Sequence, residues 1–253
     1  MTDSFNDHFT AVAAQYADYR PTYPPALFDW LASECTAHGL AWDCGAGSGQ
    51  AALALTAHFQ RVIATDASAA QIARATGHAR IDYRVATAES SGLDNHCADL
   101  VVIAQALHWF DLERYYAETA RVLKPDGLIA AWTYGVLQLD SAELNAIAGH
   151  LYSVELGPYW PPQRKLVEQG YRDLDFPFRR ITAPAFSMRA DWTLQQLLGY
   201  FRSWSATSRF IKTHGYDPVD AVDARLRIHW GDADRRRTVT WPLSLLAGRR
   251  FPA

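Results

Sequence analysis

Three cysteines in 253 residues, Cys35, Cys44 and Cys97, form no CxxC pair. That excludes a disulfide-stapled secreted domain and a four-cysteine zinc site, and it fits a reducing, cytoplasmic setting. The nine histidines are dispersed, with no HExxH and no compact Cys and His constellation, so no metal is expected. No apolar run approaches the ~20 residues that cross a bilayer. The most apolar stretch, Leu100 to Phe110, is interrupted by Gln105 and His108. The first twenty residues contain Asp3, Asp7 and Asp18 and lack a basic segment followed by an apolar core, so no secretory leader is expected. Basic residues are not in excess: 24 against 27 acidic ones leave a formal charge of -3, which supplies no general field for nucleic acid.

What is present is globular. Hydrophobic residues make up 49% of the chain and charged residues 20%, and the length lies near the upper limit of one undivided core. One domain over residues 1–253, with an insertion, is therefore expected. Positive charge gathers late, at Arg225, Arg227, Arg235, Arg236, Arg237, Arg249 and Arg250, opposed mainly by Asp232 and Asp234. A solvated rim with intramolecular pairs accounts for it, because a charge cluster alone names no partner.

Phe5 to Tyr19 carries apolar residues at helical spacing until Pro21 and Pro24 break the pattern. Ala26 to Ala37 reads as a helix with Leu27, Trp30 and Leu31 on one face and Gly39 beyond its end, completing an N-terminal helical cover over residues 1–39. A regular alternation follows. Strands are expected at Leu40 to Cys44, Arg61 to Thr65, Ile81 to Val85, Asp99 to Ala104 and Leu128 to Thr133, with helices at Gln50 to Phe59, Ala67 to Thr76 and Asp111 to Leu123. The last helix has Asp111 and Glu113 at its start and Arg121 and Lys124 at its end, matching the helix dipole, with Pro125 and Gly127 as its stop. The pattern is α/β, a parallel sheet with helices on both faces over residues 40–134. Residues 135–253 abandon the alternation. Phe178 to Met188 and Arg237 to Leu243 read as late strands forming an edge hairpin, and Leu194 to Trp204 and Pro218 to Trp230 as helices of an insertion. Its tryptophans, Trp160, Trp192, Trp204, Trp230 and Trp241, line either a core or a substrate pocket.

The most informative segment is Ala41-Trp42-Asp43-Cys44-Gly45-Ala46-Gly47-Ser48-Gly49-Gln50, set between a strand and a helix. Glycines remove side chains where backbone must turn and approach a ligand, and the following helix directs free amides at it. Gln50 stands where a dinucleotide fingerprint would place its third glycine, and no Lys-Ser or Lys-Thr completes a phosphate loop. Asp66 follows Gly45 by 21 residues, at the end of the second strand, where a carboxylate accepts two ribose hydroxyls. The other reading of Asp66 is a cap for the helix from Ala67.

These residues resemble class I S-adenosylmethionine-dependent methyltransferases of the type 11 group. Trp42 to Gly49 is similar to the family's first motif, Ala64 to Ser68 to its second, and Arg121 to Leu128 to the segment before its fifth strand. Tyr19 to Pro24, Ala104 to Phe110 and Tyr200 to Ser205 are similar to a branch that includes trans-aconitate methyltransferase-like proteins. The resemblance implies a Rossmann-like sheet with a C-terminal helical insertion, S-adenosylmethionine as cofactor and S-adenosylhomocysteine as product. It implies cofactor contacts from Tyr19, Arg20, Asp43, Gly45, Ala46, Gly47, Asp66, Ala67, Thr87, Ala88, Glu89 and Gln105. Thr87 stands where many relatives carry an acidic residue, and Glu89 either orients its loop or caps a turn.

His108 is the candidate for proton handling, with hydrogen bonding or shape as its other role. Trp109, Tyr134, Trp160 and Trp204 join His108 as candidate acceptor contacts. Cys44 has no adjacent His and acidic orienter, so it reads as a packed side chain rather than a nucleophile. The expected activity is methyl transfer to a carboxylate or hydroxyl oxygen of a small molecule, without metal, membrane or nucleic acid, by a monomer or weak homodimer. A non-catalytic protein binding an adenosine ligand is the alternative.

Overall fold

The computed structural model describes residues 21–251; the helix expected over Phe5 to Tyr19, and the candidates Tyr19 and Arg20, lie outside them. The chain divides into two compact units. The larger comprises, among described residues, 23–135, 165–187 and 242–251, and the smaller 21–22, 136–164 and 188–241.

The larger unit begins at helix α1 (Pro25–Ser33), which Pro24 enters in extended backbone, its next residue being the proline favoured at a helix start. Leu27, Phe28, Leu31 and Ala32 are buried, so Phe28 takes the place expected for the half-buried Trp30. Next come β1 (Leu40–Cys44), α2 (Gln50–Leu55), β2 (Arg61–Asp66), α3 (Ala69–Ile72), β3 (Ile81–Val85), β4 (Ala98–Ala104), α4 (Leu112–Val122) and β5 (Leu123–Tyr134). The strands from β1 to β5 are parallel neighbours in the order β3-β2-β1-β4-β5. Strand β1 thus has β2 on one side and β4 on the other, and chain direction across the sheet reverses there, which opens a crevice at the carboxyl ends of the strands.

Helices α2 and α3 stop earlier than the sequence suggests. The Thr56 hydroxyl bonds back to the Leu53 carbonyl at 2.7 Å, and Ser68, not Ala67, sits at the N-cap of α3. Pro125 and Gly127 do not end α4. Leu123 is already extended, and β5 starts there; the proline and glycine lie in an irregularity between the pairs Ala98–Leu123 and Leu100–Leu128, with Asp126 left-handed at φ 58°. The strand is anchored below by Asp99, whose carboxylate accepts Gly39 N at 2.8 Å and Leu40 N at 2.9 Å and meets Lys124 Nζ at 2.7 Å.

The smaller unit contains β6 (Gln138–Leu139), α5 (Ala142–His150) running into a π-helical turn (Leu151–Glu155), α7 (Leu194–Arg202), α8 (Ser205–His214) and α9 (Val219–Trp230). Helix α6 (Arg164–Glu168) begins on its last residue before the division. Thr193 and Gln196 form a capping box on α7, which ends at Arg202 rather than Trp204. Helix α8, absent from the sequence reading, starts without a side-chain cap and stops at Gly215 in left-handed backbone.

The late strands also differ from expectation. The segment around Phe178 to Met188 is two strands, β7 (Arg179–Ile181) and β8 (Ser187–Trp192), and β9 spans Arg237–Arg249. Pro184 interrupts the first because it has no amide to give a ladder. Strand β9 is no edge hairpin: residues 243–249 run antiparallel along β5, with β7 on their other side, while Val239 and Thr240 pair with β6. Pro242 lies where it changes partner, a position that needs no amide donor.

Four of the seven late arginines pair intramolecularly with acids, though not with Asp232 or Asp234, while Arg235, Arg236 and Arg250 have no carboxylate partner among the described residues. Arg225 meets Glu155 at 3.8 Å, Arg227 Asp223 at 2.8 Å, Arg237 Asp140 at 2.7 Å and Arg249 Glu34 at 3.0 Å.

Candidate cofactor crevice

The loop after β1 is built from backbone. Gly45 N and Ala46 N donate to the Thr65 carbonyl at 2.9 and 3.0 Å, which fixes the loop to the end of β2. A Cβ on Gly45 would lie 2.7 Å from the Ala106 side chain, so that glycine is demanded by packing within the fold. Gly47 is different. Its φ is 56°, and a Cβ there would meet nothing within 4 Å, so its bare face borders open space, the condition for a ligand to approach main chain.

Asp66 closes the other side. Its Oδ2 accepts Gly47 N at 2.9 Å and its Oδ1 accepts Ser68 N at 2.8 Å. A carboxylate has about four lone-pair sites, so each oxygen retains capacity for a hydroxyl after these bonds. The helix-cap role belongs to Ser68, which accepts Gln71 N, and Asp66 instead orients the loop on which the cap stands. Beside Asp66 in strand register lies Val85, 58% exposed, an apolar surface next to the carboxylate that sequence reasoning missed. Its only sequence signal is its place as the last residue of β3, just before Ala86 to Glu89.

Asp43 is fully buried at the end of β1, and Ala67 is exposed after Asp66. Thr87 bridges Ser90, Ala88 is buried, and Glu89 Oε1 accepts Asp111 N at 3.0 Å. Glu89 therefore ties its loop to the start of α4. Cys44 is fully buried, and burial, reinforced by the neighbouring Asp43 charge, pushes its thiol well above the ordinary value, so it is a packed side chain.

Gln105 follows β4 with φ 58°, left-handed backbone that is costly for a residue with a Cβ. Its Nε2 donates to Tyr134 O at 3.2 Å, and its Oε1 accepts the Thr133 hydroxyl. The amide thus spans the ends of β4 and β5, where the buried Tyr134 also lies. His108 and Trp109 sit in a 3-10 turn (Leu107–Trp109), with Trp109 42% exposed. His108 Nδ1 is 2.8 Å from the hydroxyl of Tyr171, a residue 1% exposed and left-handed at φ 61°. This partner, 63 positions away, had no local sequence signal. Trp160 and Trp204 belong to the smaller unit, where they pack with Tyr152.

Among the described residues no three His, Cys, Asp or Glu side chains gather to hold a metal ion, and no helix is long and apolar enough to cross a membrane. The parallel order switching at β1, the glycine loop and the added antiparallel β9 define a Rossmann-like class I methyltransferase fold.

Comparison with known proteins agrees. Residues 42–131 match a methyltransferase domain family. A Dictyostelium discoideum protein, named only as a methyltransferase, is 32% identical over 225 residues, covering 88% of this chain and 86% of that protein. A solved structure from Anaeromyxobacter dehalogenans, described as a type II methyltransferase, is 44% identical with a TM-score of 0.88, covering 93% of this chain and all of that one. A [4+2]-cyclase, SpnF, shares the fold alone, at 16% identity and a TM-score of 0.52 over 98% of this chain and 94% of that one. The chain belongs to the type 11 group of class I S-adenosylmethionine-dependent methyltransferases.

Proposed function

We propose that the crevice between the Gly45–Gly49 loop and Asp66 holds S-adenosylmethionine and that the protein methylates a carboxylate or hydroxyl oxygen of a small molecule. The observation that carries this reading is Asp66: a carboxylate set by two backbone amides, with capacity left on both oxygens, facing a loop whose central glycine borders open space. Asp66 would take the ribose hydroxyls, Gly47 main chain would border the ligand, and Val85 would cover an apolar face of it. When bound, the cofactor supplies an electrophilic methyl group on a sulfonium. The chain's own contribution is alignment, which converts encounter entropy into rate.

His108 is the group for a proton. The Tyr171 hydroxyl, 2.8 Å from Nδ1, orients the ring for proton exchange with a hydroxyl acceptor; a carboxylate acceptor needs no base and would use His108 only for orientation. Gln105 and Tyr134 at the neighbouring strand ends, and the exposed Trp109, supply polar and flat surface for the acceptor.

Calorimetry with S-adenosylmethionine tests the first half. Asp66→Ala should weaken binding by roughly 100-fold, equivalent to about 3 kcal/mol. An affinity unchanged by Asp66→Ala, in folded protein, would remove the ribose role. Isotope-labelled methyl donor incubated with a metabolite extract tests the second half; tight cofactor binding with no labelled product would favour a binding protein over an enzyme.

A further inference from the structure

The smaller unit contains charges that the crevice does not use. Four of its arginines are half-buried: Arg164, Arg202, Arg209 and Arg237. Arg202 lies 2.6 Å from Asp217 and 2.8 Å from Asp220, and Arg237 lies 2.7 Å from Asp140. Among the described residues, neither Arg164 nor Arg209 has a carboxylate within ion-pair distance; their hydrogen bonds go to the Tyr152 hydroxyl and the Tyr159 carbonyl. Drawing a cation partly out of water without a counter-ion costs free energy, which a bound anion returns.

Arg164 is also held in a fixed pose. Its Nε donates to Tyr152 Oη at 2.6 Å, and its guanidinium carbon stands 4.8 Å from the Trp160 ring centre and 5.4 Å from that of Tyr152. The rings brace one another: Tyr152 is 4.9 Å from Trp160 and 5.7 Å from Trp204, and Trp160 Nε1 donates to Tyr152 O at 3.0 Å. Tyr152 stands in the π-helical turn, a rare irregularity frequent at functional sites. The acid of that turn, Glu155, faces His150 at 3.7 Å and Arg225 at 3.8 Å, so Arg164 is not neutralised by it. Arg209 donates to the carbonyl of Tyr159, the residue before Trp160, at 3.2 Å. With one face on Trp160 and Nε on Tyr152, Arg164 has its two terminal amino groups for the side-by-side bonds a carboxylate accepts.

We propose that Arg164 anchors a site for a small carboxylate whose flat, apolar body rests on Trp160. Nothing in it depends on the methyl-donor crevice, since none of its residues belongs there.

The test uses the full chain and three probes: benzoate, acetate and inorganic phosphate. Each is titrated while the nitrogen resonance of Arg164 Nε, assigned by its loss in Arg164→Gln, and tryptophan fluorescence are followed. Benzoate should saturate the Arg164 signal, with acetate and phosphate roughly tenfold weaker, and Arg164→Gln should weaken benzoate by roughly tenfold or more. Arg164→Lys, which keeps the charge and loses the planar fork, should recover only part of that affinity. A wild-type Arg164 signal indifferent to benzoate overturns the proposal without recourse to any variant. So does equal binding of all three anions, which would mean a non-specific cation, or benzoate affinity unchanged in folded Arg164→Gln. Tighter binding of phosphate than of benzoate would replace the carboxylate by a phosphate ester and overturn the assignment as stated.

Discussion

The two units treat buried charge differently. In the larger, the buried carboxylates Asp99 and Glu118 are satisfied internally: Asp99 takes two amides and Lys124, and Glu118 takes Ser91 and the Nε and Nη2 groups of Arg121, while the half-buried Arg250 is held by His96 and the Leu123 carbonyl with no acid among the described residues. In the smaller, Arg202 and Arg237 have acids of their own, while Arg164 and Arg209 are stacked or backbone-bonded without one among the described residues. The same electrostatic rule operates in both. Where a charge holds strands together, the fold supplies the partner; where a ligand can complete it, the fold supplies only the pose.

The sharpest way to break this contrast is Asp99→Ala. It leaves two amides and a lysine without their acceptor and should cost about 3–5 kcal/mol in urea unfolding. A loss below about 1 kcal/mol would mean that internal neutralisation is not what fastens β1 to its neighbours.

Next come the loop glycines, which separate fold from ligand within the larger unit. Gly45→Ala should cost roughly 2–3 kcal/mol through its clash with Ala106 and its left-handed backbone. Gly47→Ala should cost only about 1 kcal/mol, the backbone penalty alone. Its S-adenosylmethionine affinity, measured by calorimetry, should nevertheless fall roughly tenfold or more because the new methyl group enters the open space.

Glu118 gives the comparison a pH axis. The Arg121 guanidinium, helped by Ser91, holds its carboxyl down to about 2 from 4.5. Because the folded value is depressed, the stabilisation is complete above about pH 4.5 and disappears as pH falls toward about 2. Glu118→Gln should therefore destabilise by about 2 kcal/mol at pH 7, after allowance for solvent screening, and the difference should close in acid. Equal pH dependence of wild type and variant in acid unfolding would exclude the role.

The smallest effects sharpen the contrast within the smaller unit. Arg202→Gln should cost about 1 kcal/mol, since two aspartates lose their partner, whereas Arg164→Gln should stay within about 0.5 kcal/mol because lost stacking is offset by relief of an uncompensated charge. Thermal denaturation of the two variants without added anion decides this, and equal losses would make Arg164 another structural arginine.

Legibility in the sequence followed distance along the chain. β1 and β3 have the residue limits that their apolar runs indicate, and Gly45, Gly47 and Asp66 meet because one parallel pair, β1 with β2, brings its own two ends together. Helix α8 was illegible because its N-cap is Trp204, which makes no side-chain cap bond, and Ser205 to Arg209 lacks a marked apolar start. Tyr171 was illegible because its contact with His108 comes from two separated segments and from a left-handed backbone that tyrosine composition does not announce.

The sequence by itself determined the alternating half, its glycine loop and its acidic strand end, because period-2 and period-3.6 patterns and turn residues act over a few positions. Only the tertiary structure decided that β9 runs along β5, that Ser68 rather than Asp66 caps α3, and which arginines have acids. Those outcomes depend on which surfaces remain to be covered and which charges remain to be neutralised once distant segments have met, and no local pattern contains that information.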